Sequence, residues 1–172
     1  MLDSFEIFSL FIKLMGCVIF IGIGATAIMD LWTFFLRCAF NIRGLDFALV
    51  GRWLARMPSG KFMHQSIGNS PKISGEAVIG WTAHYVIGII YAAIVVLIWG
   101  EAWIDTPRAM PGIIVGVATV TVPFFVMQPC FGMGIAGSKT PNPLFVRVKS
   151  VTSHFVFGLG IYGAALLISS VV

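Results

Sequence analysis

Two short phrases inside apolar stretches carry the residue types with the most chemical potential in this chain. One reads His84-Tyr85-Val86-Ile87-Gly88 and the other His154-Phe155-Val156-Phe157-Gly158. Each histidine has a small residue four positions before it (Gly80, Ser150) and a glycine four positions after it. An ionisable side chain inside a membrane-length apolar run marks a functional-site hypothesis, because its burial in hydrocarbon is costly. Asp30, Gln128 and Thr26 are further polar residues within such runs. A carboxylate beside an imidazole favours the charged ring, and burial opposes it. Such a cluster suits carrying a proton, binding a cation or holding the polar head of a ligand. It equally suits an Asp30–histidine or Asp30–Arg37 pair that only locks helices together.

Other chemistries rest on less. Two histidines at matched depth, each with glycine one turn away, suit a b-type haem held by His84 and His154, with Arg147 or Lys149 meeting its propionates. No CxxCH attaches a c-type haem. The spacing gives no tight ligand set for zinc, so no metal site is expected. GxSxG, HExxH and P-loop motifs are absent. A non-catalytic protein is the leading expectation, without a cofactor. A lipid- or quinone-modifying membrane enzyme is a third reading.

The elements that must position these residues are membrane-spanning helices. The chain has 172 residues, 58% hydrophobic and only 10% charged, against about 25% charged in soluble domains. Its mean hydropathy is +0.96. Four apolar stretches, about 14–35, 78–99, 111–131 and 151–172, approach the roughly 20 residues that span a bilayer as a helix. The expected fold class is an all-α polytopic membrane protein, one integral domain over residues 1–172. The acidic start, Met-Leu-Asp-Ser-Phe-Glu, lacks the basic region of a secretory signal, so the first helix is expected to be retained. Cys17, Cys38 and Cys130 form no CxxC and read as buried, inert thiols.

Nine of the eleven basic residues lie in two alternate connections: Arg37, Arg43, Arg52, Arg56, Lys61 and Lys72 in one, Lys139, Arg147 and Lys149 in the other. The positive-inside rule then places both loops in the cytoplasm and both termini outside. Trp99 and Trp103 flank the short outer loop, with Trp32 and Trp81 near the inner ends, in the manner of an aromatic belt. The pI of 9.2 fits apposition to anionic lipid heads and requires no nucleic acid.

The halves resemble each other. The histidine phrases, together with Ala25-Thr26 set against Ala118-Thr119, suggest two two-helix pseudo-repeats about an axis along the membrane normal. The first half holds an insertion, 45–57, in which Leu45, Leu49, Trp53 and Met57 share a stripe. That pattern predicts an amphipathic interfacial helix. At about 1.5 Å per residue, Asp30, His84, Gln128 and His154 fall at similar depths near the inner ends of four different helices. The stripes Gly22–Thr26–Asp30–Thr33 and Gly80–His84–Gly88–Tyr91, and the pair Gly112–Gly116, turn small residues toward neighbours. Convergence of Asp30, His84, Gln128, His154 and Thr26 is the expected site. A bundle this small suggests a homo-oligomer or a subunit of a larger membrane complex.

Longer motifs add a resemblance. The segments Gly22-Ile-Gly-Ala-Thr-Ala-Ile-Met-Asp30-Leu-Trp32, Leu45-Asp46-Phe-Ala-Leu-Val-Gly51-Arg52-Trp53, Met57-Pro58-Ser-Gly60-Lys-Phe-Met-His64, Gly80-Trp81-Thr-Ala-His84-Tyr85, Pro123-Phe-Phe-Val-Met-Gln128-Pro129 and Gly134-Ile-Ala-Gly-Ser-Lys-Thr140-Pro141-Asn142-Pro143 resemble a family of small bacterial inner-membrane proteins with a domain of unknown function. The resemblance implies a bacterial four-span protein and no particular activity.

Overall fold

The computed structural model describes residues 3–171, and among them every regular element is helical. Helix α1 runs Ser4–Phe40, α2 Phe47–Arg56, α3 Glu76–Trp99, α4 Ala102–Asp105, α5 Ala109–Ala118, α6 Gln128–Cys130 and α7 Pro143–Ser169. Four segments are long and apolar enough to cross a membrane: α1, α3, the interrupted stretch Ala109–Cys130, and α7. In each, only 22–33% of the most apolar window is buried inside the protein. The rest of that apolar surface, including Ile90, Leu97, Phe125 and Leu167, is exposed, which suits hydrocarbon and not water.

The helices outrun the expected spans. The first has 37 residues, against the expected 14–35, and begins with a capping box in which Asp3 accepts from the Glu6 N–H and Glu6 reaches back. At about 1.5 Å per residue it is roughly 55 Å long, and Ser4–Ile12 is exposed on every face. The fourth starts at Pro143 rather than Val151, because Asn142 caps it and Pro143 takes the first-turn position where its missing N–H costs nothing. Lys149 and Ser150 therefore belong to the helix itself. Trp103 departs from the aromatic belt: it is 5% exposed, its indole N–H donates to the Arg108 carbonyl, and it plugs the end of the bundle opposite the basic loops. Cys38, expected to be buried, is exposed near the end of α1.

The third span is broken. Proline at 123 has no N–H and crowds the carbonyl four residues back, and α5 stops at Ala118. A turn at Thr119–Val120 follows, then a π-helical stretch Pro123–Met127, then the short α6. The wider π turn is a common accommodation where a helix cannot keep its regular ladder.

Contact between spans is set by glycine. At the α1–α3 crossing Gly22 faces Gly88 and Ile89, and a Cβ on Gly88 would run into Thr26. At the α5–α7 crossing a Cβ on Gly116 would stand 2.6 Å from the Gly158 Cα, and one on Gly158 2.7 Å from the Gly112 carbonyl oxygen. Backbones touch at both places, as small residues allow in membrane bundles. Toward the end opposite the basic loops the bundle is solid: Ile21, Ala25, Val95, Ile161 and Ala165 are fully buried in one cluster with Trp103. A second, smaller cluster of Val50, Ile67 and Phe131 packs α2 against the connections at the basic end.

The insertion forms α2, as the stripe predicts, but its arginines do not simply face water. Arg52 is 4% exposed. Its guanidinium makes a two-pronged pair with Glu76 at 2.7 and 2.8 Å, and donates to the carbonyls of Ile67, Gly68 and Ser70. A buried charge persists only when paired and hydrogen-bonded in this way. The hydrogen bond that Arg52 donates to Glu76, aided by the carboxylate's negative charge, holds the guanidinium above its ordinary pKa against the opposing effect of burial. The clamp fastens the connection 60–75 to α2 and to the start of α3.

The glycine crossings give a direct expectation. Gly116→Leu should destabilise the protein by about 1–3 kcal/mol or prevent folding. Gly163→Leu, at a position with nothing within 4 Å of a new Cβ, should change stability little. Thermal unfolding in mild detergent separates the two.

Candidate functional site

Between the two apolar clusters lies a cavity of about 620 Å³. The structure brings all five sequence-derived residues to its wall: Thr26, Asp30, His84, Gln128 and His154. They do not form one hydrogen-bonded group.

Asp30 and His84 meet directly. Asp30 projects from α1, and its Oδ1 lies 2.9 Å from His84 Nε2 on α3. Tyr85, the next residue along, donates its hydroxyl to Asp30 Oδ2 at 3.0 Å. A carboxylate only accepts, so His84 Nε2 carries the hydrogen. In the neutral ring Nδ1 is then the lone-pair nitrogen. Arg37 is not the partner of Asp30: both carboxylate oxygens are taken by α3. The imidazole is also held by its face. Phe47 of α2 stacks on it, with centroids 4.0 Å apart at 27°, and Trp81 meets it edge-on at 5.8 Å. The Arg52–Glu76 clamp therefore positions the site indirectly, since it fixes the helix that carries Phe47.

His154 sits apart from Asp30. Its Nδ1 lies 2.9 Å from Thr119 Oγ1, and that hydroxyl lies 2.6 Å from the Gly116 carbonyl. A threonine hydroxyl has one hydrogen, and the carbonyl can only accept it. His154 Nδ1 is therefore the donor, and Nε2 keeps the lone pair. Thr26 uses its hydroxyl in a similar way, donating to the Gly22 carbonyl at 2.7 Å while filling the space beside Gly88. It shapes the closed end of the cavity more than it offers a free donor.

Gln128 is the residue whose bonding is incomplete. It is 3% exposed, and its Oε1 is buried without a partner. The π-helical stretch and Pro129 deliver it from the broken third span. An acceptor left in that state costs about 1–3 kcal/mol unless a ligand or water satisfies it.

Sequence reasoning missed Tyr85 and Thr119 as the partners of Asp30 and His154, and offered Lys149 only as a contact for haem propionates. Tyr85 was legible as the neighbour of His84, one position off the polar stripe. Thr119 was visible only as the counterpart of Thr26. Lys149, placed by α7 on the cavity wall, donates to the Arg43 carbonyl at 3.0 Å. His64 lies outside this cavity, its Nδ1 3.1 Å from the Ser70 hydroxyl. Among the described residues, no three histidine, cysteine, aspartate or glutamate side chains gather as a metal site would require.

Fold and cavity together define a small four-span membrane protein with a largely apolar chamber, carrying a few polar groups, set between its helices. Residues 19–168 match the family described as "Protein of unknown function (DUF2938)", and the chain belongs to that family. The match spans every polar residue of the cavity discussed above. No curated protein and no solved structure matches the chain.

If Asp30 and His84 support each other, their substitutions will not add. A cycle of Asp30→Asn, His84→Gln and the double variant should give a coupling of about 1.5–3 kcal/mol, the range for a hydrogen bond to a charged group. Unfolding in detergent measures it, and a coupling near zero would show that the contact is energetically idle.

Proposed function

We propose that this protein is a non-catalytic membrane protein that binds a small ligand in the chamber between its helices. The observation that carries the reading is Gln128: a buried carbonyl oxygen without a partner, on the wall of a cavity of about 620 Å³. Ligand cavities run from about 300 to 1,000 Å³, mostly apolar with a few placed polar groups. Here the polar groups are the lone-pair nitrogens of His84 and His154 and the free oxygen of Gln128. Asp30 acts through His84, fixing its orientation and proton. A ligand hydroxyl or N–H would satisfy Gln128.

Binding fits better than passage. The packed cluster of Ile21, Ala25, Val95 and Ile161 stands between the cavity and the outer end. A solute entering from the basic end meets a closed wall. On the positive-inside rule the basic end faces the cytoplasm of a bacterial cell, and both termini face the periplasm. The reading makes no use of an oligomer.

Haem is the second reading, favoured by the two histidines sharing one cavity. Asp30 on His84 Nε2 is the kind of carboxylate support that metal-bound histidines commonly have. It leaves Nδ1 for iron on that side and Nε2 on His154.

Purification in mild detergent, followed by an absorption spectrum and mass spectrometry of the bound small molecules, tests both. The ligand reading expects a near-stoichiometric small molecule without a Soret band, lost from Gln128→Leu. A Soret band lost from both histidine variants would replace it with haem. A chamber that returns only detergent, with no compound stabilising the protein, would contradict both.

A further inference from the structure

Resting on the ligand-binding reading, we infer that the chamber takes a single-chain anionic amphiphile, an acyl chain ending in a carboxylate or a phosphate. The inference comes from how charge is distributed around the wall. Two carboxylates and two cations line the cavity: Asp30, Asp46, Arg43 and Lys149. The carboxylates are already served. Asp30 has His84 and Tyr85 on its two oxygens. Asp46 caps α2, accepting from the Ala48 N–H at 3.0 Å and facing the positive end of that helix. The cations are not. Among the described residues the only ion pairs are Arg52–Glu76 and His84–Asp30. The Lys149 ammonium has a carbonyl, the Arg43 oxygen, as its partner. That contact brings the two cationic residues together at the basic end of the chamber.

Position and shape agree. Lys149 stands in the second turn of α7, and Arg43 follows the end of α1, so both lie where a lipid headgroup would sit. Ser150 and Ser153 on the same wall offer further hydroxyl donors. Deeper in, the lining is Ile87, Tyr91, Met127 and Phe157, apolar surface suited to a hydrocarbon chain directed toward the membrane centre. An acid head at Lys149 and Arg43 would gain charge-assisted hydrogen bonds. A hydroxyl carried elsewhere on the same molecule would satisfy the unpartnered Gln128 oxygen.

The test uses the intact protein in a non-ionic detergent. Thermal stabilisation is measured with oleate and oleoyl lysophosphatidate, then with oleyl alcohol and monoolein as uncharged partners of the same chain. The acids should stabilise and the uncharged compounds should not. Which acid acts identifies a carboxylate or a phosphate head. Lys149→Gln should weaken binding of the acid about tenfold, the scale of one hydrogen bond to a charged group, and Lys149→Arg should retain it. Equal stabilisation by charged and uncharged compounds, abolished by Ser153→Trp, would overturn the anionic class and leave the ligand-binding chamber standing. No stabilisation by any of the four would overturn both. The comparison of acid with alcohol on the unaltered protein decides the matter even where a Lys149 variant fails to fold.

Discussion

The bundle depends on the places where helix backbones touch, and two of them divide its interior. Gly22 meets α3 beside Gly88, and Gly112 and Gly116 meet Gly158. In hydrocarbon there is no hydrophobic drive between helices, so close packing has to supply the attraction. On the side of these crossings away from the basic loops the helices stay together and fill their shared interior with Ile21, Ala25, Val95 and Ile161. On the basic side lies the chamber, its closed end marked by Thr26, Gly88 and Phe157. A packed half and an open half follow from where glycine stands.

The open half then needs its own support. Helix α2 and the connection after it supply the lower wall, and the Arg52–Glu76 pair ties them to α3. The pair is buried, and replacing buried pairs by apolar residues is often neutral. Its value here is geometric. Arg52 also binds three carbonyls of the connection, and α2 presents Phe47 to the face of His84. Orientation of the imidazole is thus set by contacts from three helices.

Much of this was legible in the sequence. Four apolar runs and their helical phase gave the spans. The stripe Gly22–Thr26–Asp30 and the phrase around His84 placed a carboxylate and an imidazole on facing surfaces. Other features were hidden for physical reasons. The spacing of Arg52 and Arg56 reads as a solvated face, and nothing local reveals that Glu76, a full connection away, turns Arg52 inward. The pseudo-repeat suggested that both histidines would share one environment. Setting Thr119 against Thr26 sets Pro123 against Asp30, so the second half has no carboxylate at the matching place. His154 binds a threonine instead. That same proline breaks the third span and brings Gln128 to the chamber, so the departure from symmetry supplies a buried oxygen without a partner on the chamber wall.

The central claim is a chamber open at the basic end and sealed toward the other. Chemical modification from each side of the membrane tests it most directly. In a background with Cys17, Cys38 and Cys130 replaced, Ser153→Cys places a thiol on the chamber wall, and membrane-impermeant maleimide is applied to vesicles of either orientation. Labelling from the basic side alone is the predicted result. Labelling of the same thiol from the opposite side would mean a continuous path through the bundle, and would contradict the account.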